Sequence, residues 1–170
     1  MLVELYFLYF AAAIIGLSIT VVTRKNPVHS VLWMLLLFFN IAGLYLMLNA
    51  EMMAAIQIIV YAGAILVLFL FVVLLLDLKK EIDAEQYVGI WPTGVAVAVA
   101  LFTLILIMTR SFVAGPHGNL TIERVRELSH PGVIGRAMFT EYLFPFEVAS
   151  LVLLVAVIGA IILAKKRIKE

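Results

Sequence analysis

From Gln57 to Leu76 the chain reads QIIVYAGAILVLFLFVVLLL, a run with no charge and no proline. About 20 apolar residues are enough to cross a bilayer as a helix. The middle of the run is Tyr61-Ala62-Gly63-Ala64. A plain membrane anchor needs only leucines there. A hydroxyl and a glycine at bilayer depth point to close helix contact, or to backbone that departs from a regular helix.

Four more runs are long enough to cross. The five are Leu2–Val22, Val28–Leu48, Met52–Leu76, Ile90–Thr109 and Tyr142–Ala164. The chain is 65% hydrophobic and 14% charged, against about 45–50% and 25% in soluble domains. The fold class that follows is an all-α integral membrane protein of five transmembrane helices, forming a single membrane domain over residues 1–170. The first run carries Glu4 and no Lys or Arg ahead of it. A signal peptide has a positive head, so this run reads as a retained span.

The breaks are chemically distinct. Asn26 is placed to cap the second helix, with Pro27 at its first position. Asn49-Ala50-Glu51 forms a tight turn into the third. Asp77 to Gln86 is a charged loop. Arg110 to Glu141 reads as one long outer loop, with turn signals around Gly115-Pro116-His117-Gly118 and a short surface helix over Ile122–Leu128. Arg24, Lys25, Lys79, Lys80, Lys165, Lys166, Arg167 and Lys169 collect on one side; Arg110, Arg124, Arg126 and Arg136 collect on the other. The positive-inside bias puts the N-terminus outside and the C-terminus in the cytoplasm.

Small residues recur every four positions at Ala12, Gly16 and Thr20, at Gly94 and Ala98, and at Ala156, Ala160 and Ala164. This spacing lets helix backbones approach closely. Five such helices leave little room for an internal cavity, which favours a component of a larger assembly over a self-contained pore.

The chemistry is sparse. The chain has no cysteine, which removes thiolate metal sites and iron–sulfur clusters from it. His29, His117 and His130 sit at span ends or in the long loop, where they cannot clamp a haem inside the bundle. No phosphate-binding glycine loop and no Ser/His/Asp set can be assembled. No basic stripe offers a nucleic-acid surface. Catalytic residues, cofactor-binding residues and metal ligands are therefore expected to be absent.

Polar residues at depth are few. Asn40 reads as one interhelical hydrogen bond or as a water-binding point in a proton path. Gln57 and Tyr61, four residues apart, share one face of the third helix. Glu51 and Glu147 each open a span, where the helix macrodipole favours a carboxylate by roughly 0.3–1 kcal/mol; a proton-carrying role needs them deeper. Glu4 and Asp77 read as solvated charges.

Three blocks carry a resemblance. Gln57 to Val73, with its Tyr61-Ala62-Gly63-Ala64-Ile65 core, resembles the third span of the chain J family of proton-pumping NADH–quinone oxidoreductase, respiratory complex I, whose mitochondrial counterpart is subunit 6. Asn26-Pro27-Val28-His29 opens the second span as in that family. Val133 to Ala164, including Phe144-Pro145-Phe146-Glu147-Val148-Ala149-Ser150, resembles its last span and the segment leading into it. The likeness covers all five spans and is weakest in the fourth and in the long loop. At one position the chain departs from some relatives, which carry glutamate where it has Gln57.

The resemblance implies a membrane-arm subunit in a multi-pass bacterial cytoplasmic membrane. It would lie between the quinone-site and antiporter-like chains, coupling quinone reduction to proton pumping without being catalytic itself. FMN, iron–sulfur clusters and quinone would belong to partner subunits. The family's third helix is associated with a π-bulge that forms and relaxes, changing hydration of the central proton path. Carried over, the gating or proton-path candidates are Tyr61, Gly63, Ala64 and Val67, with Gln57 and Asn40 beside them. Two other readings are a same-fold subunit of a related quinone-reducing or hydrogenase-like complex with another electron donor, and a small secondary transporter subunit. The latter wants inverted repeats and a polar midplane site, and no repeat between the halves is present.

Overall fold

The computed structural model describes residues 2–76, 91–111 and 129–165, all of them in helices or short turns. The charged loop from Asp77, the turn signals near Gly115, the short helix over Ile122–Leu128 and the basic residues after Lys165 lie outside the described residues. The helices are α1 (Leu2–Thr23), α2 (Pro27–Met47), α3 (Glu51–Leu75), α4 (Trp91–Ser111), α5 (His130–Thr140) and α6 (Leu143–Ala164). All but α5 are long and apolar enough to cross a membrane, and their bounds agree with the five expected spans to within two residues.

The chain divides into two units, Met1–Gly118 and Asn119–Glu170. In the first, α1 and α2 form an antiparallel hairpin. Asn26 caps α2, its side-chain oxygen accepting from the backbone N–H of Val28 at 3.0 Å with Pro27 behind it, as expected. Across the hairpin the Ser30 hydroxyl donates to the Val21 carbonyl. Arg24 lies 5.7 Å from the ring centroid of Trp33, so the charge at the end of α1 rests on an aromatic face. Gly43 receives the Phe10 ring. A Cβ there would stand 2.6 Å from Phe10 Cε1, so any larger residue would require the Phe10 ring to shift.

The turn from α2 to α3 satisfies its own backbone. Asn49 is left-handed at φ 56°, a conformation asparagine tolerates better than most residues. The Asn49 N–H bonds to Leu46 O at 3.1 Å and the Ala50 N–H to Tyr45 O at 2.9 Å, the paired bonds of a Schellman ending. The turn sends α3 back antiparallel along α2.

In the second unit α5 and α6 are joined at Glu141 and Tyr142. The N–H groups of both residues bond to Ala137 O at 3.0 Å. Phe139 and Phe146 pack edge to face with centroids 5.0 Å apart. The expectation of one continuous loop over 110–141 is thereby corrected: α4 runs to Ser111 and His130–Thr140 is helical. The misleading signal was His130-Pro131-Gly132. Proline breaks a helix in its interior but suits the first turn, where its missing N–H has no partner to lose.

Little of this surface is buried. The buried apolar residues are Val31, Ala42, Ala54, Ala62, Leu66 and Val73, and α4 is exposed along its whole length. Nothing lies within 4 Å of where a Cβ would stand on Gly16 or Gly94. Among the described residues these two stripe positions are therefore not close-approach points.

Candidate functional site

The third span is not a uniform helix. Glu51–Ile56 winds as α, Gln57–Ile65 winds as π for nine residues, and Leu66–Leu75 returns to α. At the far junction the Leu66 N–H bonds to Tyr61 O, five residues back. The wider winding falls on the block that the sequence marked as odd.

The buried face records its effect. Along α3 the buried residues are Ala54, Gln57, Ala62, Leu66 and Val73. The steps of three, four and seven are those of an α-helix with one face packed. The step of five from Gln57 to Ala62 is not. The π segment absorbs one residue there and delays the packed face by one position. Ala62 and Leu66 turn inward, and Tyr61 and Ile65 stay outside, 46% and 51% exposed.

The candidate residues separate accordingly. Gln57 is buried, while Tyr61, Gly63, Ala64 and Val67 are exposed. The expectation that Gln57 and Tyr61 share a face holds only in part: Gln57 is 7% exposed and Tyr61 46%, because the π segment carries Ala62 into the packed position. Tyr61 leans edge to face on Phe38 of α2, with centroids 6.0 Å apart. Gly63 meets no neighbouring helix. A Cβ on it would lie 3.3 Å from the carbonyl oxygen of Ile58, the residue five positions back in its own helix. The glycine therefore eases the π winding itself, and close interhelical approach belongs to Gly43, which the sequence reading missed.

Asn40 does not make the expected interhelical bond. Its amide nitrogen donates to Leu36 O at 2.8 Å within α2. It stands two residues from both Phe38 and Ala42, hence on the other side of the helix, and does not converge with Gln57. Glu51 lies in the first turn of α3, as expected. Glu147 is the fifth residue of α6, and the first turn of that helix holds no acid. The macrodipole acts within the first turn, so it accounts for Glu51 and not for Glu147. Among the described residues no three His, Cys, Asp or Glu side chains come together to hold a metal.

The distinguishing feature of the arrangement is its winding. Returning Gln57–Ile65 to α would advance the packed face by one residue, a rotation of about 100°. Tyr61 and Ile65 would move inward, and Ala62 and Leu66 would move out. The Tyr61 ring, already edge to face with Phe38, would turn further toward α2.

Sequence comparison places relatives around this geometry. The family model described as NADH-ubiquinone/plastoquinone oxidoreductase chain 6 matches residues 17–163. The chain is 37% identical to NADH-ubiquinone oxidoreductase chain 6 of Sarcophyton glaucum, over 94% of this chain and 82% of that protein. It is 37% identical to NADH-quinone oxidoreductase subunit J of Rhodobacter capsulatus, over 92% and 79%. It is 34% identical to the chloroplastic NAD(P)H-quinone oxidoreductase subunit 6 of Marchantia polymorpha, over 98% and 90%.

Proposed function

The chain belongs to the NADH–quinone oxidoreductase chain 6 family, called subunit J in bacterial relatives, and we propose that it couples quinone reduction to proton pumping through a change of winding in α3. In this reading the chain is a non-catalytic membrane-arm subunit. NADH is oxidised and quinone reduced in partner chains, which carry FMN and iron–sulfur clusters. Its neighbours are the quinone-site and antiporter-like subunits of a bacterial cytoplasmic membrane. Its five spans form one membrane domain with the N-terminus outside.

The observation that carries the reading is the π-helical stretch Gln57–Ile65. A long π segment has poorer hydrogen-bond geometry than an α-helix and is rare away from functional sites. It also holds one more residue than the packed face needs. In this reading two windings of the same sequence lie close in energy, which is what a switch requires. Such an element gates and does not catalyse. The sparse intrachain burial supports the assembly: most of the apolar side chains on α4 and α6 are exposed, and neighbouring helices or lipid must cover them.

Gly63→Val tests the gate. A branched Cβ meets the Ile58 carbonyl in the π form and costs rotamer freedom in either winding, so it shifts the balance toward α. In assembled complex the variant should show slower quinone-linked turnover and less proton pumping. NADH oxidation by an artificial acceptor, a reaction of the soluble arm, should be unchanged. Normal coupled turnover would remove the gate. Identification of the subunits that copurify with the tagged chain tests the electron donor.

A further inference from the structure

The turn between α1 and α2 carries two cations that nothing in the chain neutralises. Arg24 and Lys25 are consecutive and exposed, and neither pairs with a carboxylate among the described residues. Arg24 does not extend away from the helices. Its guanidinium lies over the half-buried Trp33 ring, 5.7 Å from the centroid. Trp33 stands six residues into α2 from Pro27, about 9 Å along the helix at 1.5 Å per residue. The guanidinium is therefore folded back from the turn toward the apolar part of the hairpin.

Stacking occupies the face of a guanidinium and leaves its five N–H donors, which lie in the plane, to find acceptors. That planar fork matches two oxygens of a phosphate. An indole is at home at the boundary between hydrocarbon and headgroups, so Trp33 fixes the level at which those donors are offered. Directly before the turn, Ile15, Ile19 and Val22 follow at steps of four and three along α1 and are 61%, 59% and 81% exposed. They form one apolar stripe that ends at the two cations. A phospholipid presents its groups in the same order, acyl chain and then phosphate.

We infer that the α1–α2 turn binds an anionic phospholipid, with the phosphate on Arg24 and Lys25 and an acyl chain along Ile15, Ile19 and Val22. Trp33 is a positioning residue that holds the guanidinium at headgroup depth. The proposed sidedness sets the leaflet, the cytoplasmic one, whose anionic lipids attract basic segments near the membrane. The site itself is independent of sidedness, which cysteine labelling decides separately.

The test uses the assembled complex in nanodiscs of phosphatidylcholine, with and without phosphatidylglycerol, which offer lipid to both faces. In the phosphatidylglycerol discs a density map should show a lipid phosphate within hydrogen-bond distance of the Arg24 guanidinium. In phosphatidylcholine alone that density should be several-fold weaker, and added inorganic phosphate should not restore it. Arg24→Gln should abolish the density. Arg24→Lys and Trp33→Leu should each weaken it, the first by losing the planar fork and the second by losing its support. A carboxylate of a neighbouring subunit bonded to Arg24 overturns the inference. So do equal density in the two lipids, density restored by inorganic phosphate, and no density at all. Should Arg24→Gln fail to assemble, the maps of the unmodified complex in the two lipids decide.

Discussion

Gly43 does at residue scale what a small-residue stripe was expected to do. The Phe10 ring occupies the space a side chain would need, 2.6 Å from the nearest Cβ position. Overpacking of this kind costs typically about 1–3 kcal/mol. Gly43→Ala should lower the thermal stability of the assembled complex, and adding Phe10→Ala should recover part of the loss. Purely additive losses in that cycle would show that the two residues do not couple. The two carboxylates differ at the same scale. Glu51 has a helix N-terminus to stabilise it, within about 1 kcal/mol. Glu147 has none, and it is exposed on an otherwise apolar helix. Ionisable groups within spans face partners or water-filled cavities. Glu147→Gln should therefore reduce the yield of assembled complex, or its pumping, more than Glu51→Gln does. Equal and small effects on native gels and in pumping assays would return Glu147 to the status of a surface charge.

At the scale of the element, α3 has one residue too many for a straight α-helix with its packed face in register. Ile59 lies between Gln57 and Ala62 and is 69% exposed. Deleting it makes the step from Gln57 to the following buried alanine four residues, and the buried positions then keep α spacing throughout. The shortened helix has nothing left to bulge. The expected phenotype is an assembled complex with an intact soluble-arm reaction and uncoupled or arrested quinone turnover. Wild-type pumping in that deletion would mean that the π segment is structural. The Gly63→Val variant biases the same equilibrium from the other side, by opposing the π form without shortening the chain, so its defect should be the milder of the two.

At the scale of the whole molecule the prediction concerns sidedness. The Lys and Arg distribution motivates an N-terminus outside and a C-terminus in the cytoplasm. The chain has no cysteine, so single cysteines at Ser129 and Lys169 are clean reporters. A membrane-impermeant thiol reagent applied to intact cells should label the first and spare the second. The reverse pattern would invert the topology.

The spans, the Asn26 cap with Pro27 and the turn at Asn49 were legible in the amino-acid sequence, because apolar length, a capping oxygen and a left-handed asparagine act locally. The family blocks were legible too, since Tyr61-Ala62-Gly63-Ala64 and Phe146-Glu147-Val148-Ala149-Ser150 are specific where hydropathy is not. Helix α5 was not, because Pro131 and Gly132 carry the same signal in a loop and in a first turn. Which glycine makes the close approach was decided only by packing: Gly43 is chosen by the Phe10 ring that happens to face it. The phase of α3 was decided there as well. In a run that is apolar on every side, no pattern of polar and apolar residues reports which face is buried. The step of five between Gln57 and Ala62 emerges only when α2 lies alongside and one face has to meet it. That step leaves Gln57 buried and Tyr61 half exposed.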